Sequence, residues 1–398
     1  MKRKPKVLWH SEIVANTGFA NVSRSLIEHL KASFDITVLE WTRAFNPDFE
    51  IGKASLFYKE NGYRLNGKKN LHDSMALERL DADYLNRFDA FFILNDVWNI
   101  DPVLNRLQLN GFKGKVICYF PVDAAQHDPD WYKNFDIVDK AITYTHFAYQ
   151  EVLKAAPQLR DRLCVLPHGT NFDIFHALPE DKKELRKKIW PGETGNRLSE
   201  SFIFLNANRN QPRKRLDITM RAFGLFAEGK EDVALYMHCG NEDSSMNIVK
   251  LAERYGFEKK LIVTEGAFKG IPKVGNRELN LLYNICDVGI NTSLGEGWGL
   301  TNTEMAAVGK PQIVPAHSAC KELFGSTGVV CACESEYTID NIMTIGKIVS
   351  AESVSVAMQK LYSDVDFYAK TAKLTKEKFN QKWLNWKNVS KILENYIS

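Results

Sequence analysis

Residues 293–310 read "SLGEGWGLTNTEMAAVGK". Two glutamates, Glu296 and Glu304, flank a glycine-rich bend and the start of a helix. The preceding "VGINTS" (288–293) has the pattern of a strand, and "LTNTEMAAVG" (300–309) that of a short helix closed by Gly309, with Pro311 beyond. Uncovered amides at a helix start attract an anion. Gly297 and Gly299 let the backbone approach a ligand without a Cβ in the way. Beside such an anion, Glu296 and Glu304 would accept hydrogen bonds from hydroxyl groups. Thr301-x-x-Glu304 also fits a capping box, in which Glu304 serves only its own helix. Both readings stand at this point.

Outward from this stretch, short apolar runs alternate with amphipathic segments. "KVLWH" (6–10), "DITVLEW" (35–41), "AFFILN" (90–95), "KVICYF" (115–120) and "KAITYT" (140–145) read as buried parallel strands. Helical stretches such as "NVSRSLIEHLKA" (21–32) lie between them, with Val22, Leu26 and Leu30 on one face. The alternation predicts an α/β fold with doubly wound sheets. Residues 167–200 break the pattern with charge, Pro and Gly, which predicts a linker region with one helix starting at Pro179. A second α/β series follows from "SFIFLNAN" (201–208) to "GVVCA" (328–332). A chain of 398 residues exceeds what one core usually serves, so two domains are expected.

Composition narrows the class. Hydrophobic content of 44% with 25% charged residues is that of a globular protein, and a net charge of +3 permits an anionic ligand without demanding nucleic acid. No apolar run is long enough to span a membrane, and the basic start "MKRKPK" lacks the apolar core of a secretory signal. The cysteines are scattered and odd in number, which fits reduced thiols in a cytoplasm. Cys331 and Cys333 form only C-x-C, so no metal is expected.

Ligands on doubly wound sheets bind beyond the carboxyl ends of strands, and chemistry-bearing residues cluster there. After "FIFLNAN" comes "RNQPRKRLDITMRAF" (209–223), where Arg209 and Lys214, with Arg213 and Arg215, suit a diphosphate. After the first strand comes "HSEIVANTGFANVSRSL" (10–26), with Gly18 at a predicted helix start. After "CYF" come Asp123 and His127. No dinucleotide-binding fingerprint is present. In "KEKFNQKWLNWKNVSKILENY" (376–396), Trp383 and Trp386 stand one turn apart, a spacing that favours packing over base stacking.

In combination these residues resemble the family 4 (group 1) retaining glycosyltransferases of the GT-B fold, with some likeness to virus-encoded members. The resemblance is carried by "VLPHGTNFDIF" (165–175), Arg209-x4-Lys214, Glu296-x7-Glu304 within "EGWGLTNTEMAAVGKPQIV", and the terminal Trp-bearing helix. It implies two Rossmann-like domains facing across a cleft: residues 1–175 for the acceptor, 176–375 for the donor, and 376–398 as a helix crossing back onto the first. It implies a nucleotide-diphosphate sugar, expected to be a UDP-sugar, as co-substrate, with no prosthetic group and no metal. Arg209 and Lys214 would neutralise the diphosphate and Gly18 would close on it. Glu296, Gly297, Trp298, Gly299, Leu300 and Thr301 would surround the sugar, Glu304 would hold the ribose, and Ala267 and Phe268 would lie by the base. Asp123 stands where the family often has a catalytic His, with His127 behind it on the acceptor side.

The acceptor hydroxyl is left open between a glycan, a small molecule and a hydroxymethylated base in viral DNA. The last would give a purpose to "MKRKPK" and "NGKKN" (66–70). Cytoplasm, or host cytoplasm for a viral protein, is the expected location. The competing functions are a sugar-nucleotide epimerase on the same fold, a glycoside hydrolase using Glu296 and Glu304, and a non-catalytic nucleic-acid-binding module.

Overall fold

The computed structural model describes residues 3–13, 17–39, 55–56, 82–264, 266–267 and 274–398. Phe268 and "NGKKN" (66–70) lie outside the described residues. The chain divides into two compact units, Met1–Gly169 with Trp383–Ser398, and Thr170–Lys382.

The first unit is built on a seven-stranded sheet. Its strands are β1 (Lys6–His10), β2 (Asp35–Leu39), β3 (Ser55–Leu56), β4 (Ala90–Leu94), β5 (Lys115–Tyr119), β6 (Lys140–Thr143) and β7 (Leu163–Val165). All pairings are parallel, in the order β3-β2-β1-β4-β5-β6-β7. Every residue of β4 is buried, as a strand covered on both faces requires. Trp9 of β1 stacks on Phe92 of β4 at 3.8 Å. The helix Gly18–Leu30 buries Val22, Leu26 and Leu30 and packs on the C-terminal helix Trp386–Ile397. Trp386 covers Gly169 so closely that an added Cβ there would lie 2.7 Å from its ring. Trp383, in contrast, is 53% exposed, so only one of the two tryptophans packs.

The second unit carries β8 (Phe202–Asn206), β9 (Val233–Met237), β10 (Leu261–Val263), β11 (Val288–Ile290), β12 (Gln312–Pro315) and β13 (Val329–Cys331). These form a parallel sheet in the order β10-β9-β8-β11-β12-β13. Its first strand is central and the winding reverses between β8 and β11. The crevice beyond the carboxyl ends of those two strands is the switch point where such sheets take ligands. Glu296 and the 209–215 cations follow those strands in the chain.

Two local expectations fail for identifiable reasons. The charged stretch 167–200 is not a bare linker. It forms the helices Lys182–Ile189 and Glu193–Glu200, and Arg186 carries the first of them into the core. Arg186 is fully buried and donates from Nη2 to Asp287 Oδ2 at 2.7 Å, with further bonds to the carbonyls of Ile285 and Ser201. That helix starts at Lys182 rather than Pro179, because Asp181 takes the N-cap and accepts from Lys183 N at 2.8 Å.

An antiparallel hairpin, β14 (Cys333–Thr338) with β15 (Ile345–Val349), follows the parallel sheet. The charged "CESEYT" gave no sign of it. Lys347 N of this hairpin donates to Leu294 O at 2.9 Å. Among the described residues no helix is long and apolar enough to cross a membrane, and no group of side chains is arranged to hold a metal ion.

Candidate active site at the second sheet's switch point

Strand β11 is followed by Asn291, Thr292 and Ser293, all fully buried, and each of the three fastens the turn beyond. Asn291 Nδ2 donates to Glu296 Oε1 at 2.9 Å and to Asn302 Oδ1 at 2.9 Å. Ser293 Oγ donates to the same Glu296 oxygen at 2.7 Å. Thr292 Oγ1 donates to Arg215 O at 2.8 Å, tying the turn to the cationic loop after β8. Leu294 N completes that seam by donating to Arg213 O at 2.8 Å. The loops after the two switch-point strands therefore form one hydrogen-bonded body.

Lys214 meets Glu296 inside that body, Nζ to Oε1, at 2.5 Å. Among the described residues all donors to the carboxylate converge on Oε1, and Oε2 receives none. Burial pushes this carboxyl up, but the Lys214 and Arg213 charges and the bonds from Lys214 and Asn291 outweigh it and hold it at about 2. Glu296 is thus an ionised carboxylate at neutral pH. Its backbone N–H donates to Ser318 Oγ at 3.0 Å, and Ser318 is itself in the left-handed region with φ 46.

Arg209 stands apart from the buried pair. Its Nε and Nη2 bond Asp243 Oδ2 and Oδ1 at 2.6 and 3.2 Å, with the Arg side chain 45% exposed. Asp243, in the loop after β9, was not among the expected residues. Arg215 adopts the left-handed conformation (φ 47, ψ 49) at the start of the helix Leu216–Ala227. Its guanidinium pairs with Asp217.

The helix Leu300–Val308 begins at Gly299, which has φ 84 and ψ 60, and no side chain caps it. The capping box read from Thr301 and Glu304 does not form, because the helix starts two residues earlier than that box needs and Thr301 lies within it. Glu304 instead accepts from Tyr283 Oη at 2.9 Å. Burial pushes the Glu304 carboxyl up to about 8 against a small opposing effect of that hydrogen bond. The two glutamates, alike in sequence, are opposite in charge state at neutral pH. Gly297 and Trp298 are buried in the turn and Leu300 is half-buried. Ala267 is buried and its carbonyl accepts from Asn241 N at 2.9 Å.

The first unit holds the other expected residues. Gly18 opens its helix, but Thr17 Oγ1 already accepts from Ala20 N at 3.2 Å, so that start is capped by its own chain. Asp123 is half-buried beyond β5. His127 is buried, with Nδ1 2.8 Å from Tyr132 Oη and the ring against Trp131. Burial lowers it to about 4 against the pull of Glu151, so it is a neutral ring engaged with its neighbours.

Residues 193–344 match the model of the family described as "Glycosyl transferases group 1". A curated relative, the serotype-specific mannosyltransferase WbdA of Escherichia coli, is 24% identical over 195 residues, which is 48% of this chain and 22% of that protein. This chain therefore aligns with about a fifth of that relative's length. Anabaena Alr3699/HepE, solved with UDP and glucose, superposes with a TM-score of 0.72 at 12% identity, covering 98% of each chain. Sucrose-phosphate synthase from Thermosynechococcus elongatus gives 0.74 at 15% identity, again over 98% of each. The fold read from the residues is the fold observed, GT-B with its two Rossmann-like domains, and the group 1 glycosyltransferase resemblance holds over the stretch that contains Arg209, Lys214, Glu296 and Glu304.

Proposed function

We propose that this chain is a glycosyltransferase that moves a sugar from a nucleotide-diphosphate donor to an acceptor hydroxyl with retention of anomeric configuration. The observation that carries the reading is Lys214 paired with Glu296 beside Arg213 and the uncapped start of Leu300–Val308, at the switch point of a group 1 domain. Departure of the nucleotide diphosphate builds negative charge at the scissile phosphate oxygen. Fixed cations and helix-start amides stabilise that charge without reorganising. Arg209 and Lys214 supply the positive charge in place of a metal ion.

In this reading the Glu296 carboxylate accepts sugar hydroxyls through Oε2, while Oε1 stays with Lys214. The turn Gly297–Thr301 surrounds the sugar, and Ala267 lies by the base. Glu304 receives the ribose. The departing phosphate oxygen takes the acceptor's proton, so no dedicated protein base is required; Asp123 is the acceptor-side carboxylate. A UDP-sugar is the first donor to try, in keeping with the UDP bound by the HepE structure. A glycan is the first acceptor to try, in keeping with the mannosyltransferase relative.

The test is a panel of sugar nucleotides scored by thermal shift, since a bound donor stabilises by mass action. Turnover of the best donor against glycan acceptors and a hydroxymethylated duplex follows. Lys214→Ala or Arg209→Ala should cost on the order of 10² in turnover, as loss of a preorganised stabiliser does. Near-normal turnover in both variants defeats this mechanism, and isomerisation of the donor without acceptor identifies an epimerase.

A further inference from the structure

We propose that Tyr283 is the positioning residue for Glu304, and that docking of a ribose diol on this carboxyl displaces the proton it otherwise holds. The inference rests on the donor reading above, which brings the nucleotide's ribose to Glu304, and adds a second residue and a proton to it.

Tyr283 lies in the helix Asn276–Ile285 and is fully buried. Its ring packs on Phe175 with centroids 5.8 Å apart. The helix around it is anchored to the segment after β7: Asn280 Oδ1 accepts from His176 N at 3.2 Å, and Asn284 Oδ1 accepts from Leu178 N at 2.9 Å. With ring and helix both fixed, the Tyr283 hydroxyl is a stationary donor. It bonds Glu304 Oε2 at 2.9 Å. Among the described residues this is the one hydrogen bond Glu304 receives, so Oε1 is the oxygen left for a ligand.

Among the described residues no charged partner stabilises ionised Glu304; burial raises it and the Tyr283 hydroxyl opposes that. Arg277 and Glu278 lie in the first turn of the Tyr283 helix, away from its last turn. Lys376, on the helix Val365–Phe379 packed against Leu300–Val308, lies along Gly309 at the far end. Lys310 Nζ is committed to Asn284 O at 3.0 Å. Lys214 faces Glu296 instead. A carboxyl so placed keeps its proton at neutral pH and ionises when hydrogen-bond donors arrive.

A vicinal diol brings two such donors. The carboxylic O–H gives its proton to solvent, the resulting carboxylate accepts both ribose hydroxyls, and Tyr283 holds its plane. No covalent bond to the ligand forms or breaks.

The experiment is titration calorimetry with UDP-glucose, GDP-mannose and ADP-glucose, run near neutrality in buffers of different ionisation enthalpy. The diphosphate diesters of these probes do not titrate there, so buffer-dependent heat reports protons leaving the protein. Wild type should release most of one proton per donor bound, with affinity rising from about pH 6 and levelling near pH 8. Glu304→Gln should release none. Tyr283→Phe keeps the ring packing and should bind about tenfold more weakly or worse, the loss of a hydrogen bond to a charged group, with turnover at saturating donor little changed.

Binding without proton release, or Tyr283→Phe binding like wild type, overturns the proposal while leaving the donor reading intact. If no sugar nucleotide of the set binds wild type, the donor reading falls and this one with it. Should Tyr283→Phe fail to fold, the proton count of wild type against Glu304→Gln decides alone.

Discussion

Lys214 Nζ lies 2.5 Å from Glu296 Oε1 with both side chains at most a tenth exposed, and Lys214 is the largest single charge compensating Glu296. Removing one partner of such a pair leaves a buried charge unpaired. Lys214→Met should destabilise the fold by about 3–5 kcal/mol. The double variant Lys214→Met with Glu296→Gln should recover much of that loss. Denaturant titrations of the two singles and the double close the cycle; independent, additive losses would show that the pair is not coupled.

Asp243 grips the exposed Arg209 through two bonds. Because the Arg209 end of the pair is exposed to solvent, Asp243→Ala should change stability by only about 1 kcal/mol. Its expected effect is on the donor: a guanidinium no longer held in one orientation should bind a diphosphate several-fold more weakly. Calorimetry with the best sugar nucleotide reads this. Tighter binding in the variant would mean that Asp243 competes with the phosphates rather than aiming the arginine at them.

The two glutamates put opposite slopes on stability against pH. Glu296 is lowered from 4.5 to about 2, so its contribution is complete above about pH 4.5 and is lost as pH falls toward 2. Glu304 is raised from 4.5 to about 8. Its folded form binds the proton more tightly than the unfolded chain, so its contribution is complete below about pH 4.5 and declines as pH rises toward 8. Glu304→Gln should therefore match wild type near pH 5 and exceed it near pH 8.5. Urea midpoints across pH measure the difference.

Arg186 and Asp287 form an ion pair with no solvent exposure. Arg186→Met should cost about 3–5 kcal/mol, because Asp287 keeps a buried charge after losing its bidentate-capable partner, with the lysines Lys182 and Lys310 left to offset it. Donor affinity of the folded fraction should be unchanged, since the pair lies at the opposite ends of β8 and β11 from the candidate site. A melt combined with calorimetry separates the two effects.

The strands and the position of Glu296 were legible because burial on both faces leaves apolar runs in the sequence, and because glycines mark a turn that a side chain would obstruct. What could not be read depends on partners distant along the chain. Arg186 looks like one more surface cation until Asp287, a hundred residues on, is brought to it. Nothing local separates Glu296 from Glu304, yet Lys214 lowers one while desolvation raises the other. Asp243 carries no motif at all. The helix starts at Lys182 because Asp181 caps it, although Pro179 is the more obvious local start signal.

The hairpin β14–β15 bears on binding entropy. Leu294, two residues before Glu296, has its N–H bonded to Arg213 O and its C=O bonded by Lys347 N. An added Cβ on Gly346 would lie 2.8 Å from Leu294 O, so hairpin and turn are in direct backbone contact. A turn gripped from both sides has little conformational freedom left to surrender when a ligand docks, and more of the contact energy is kept as affinity.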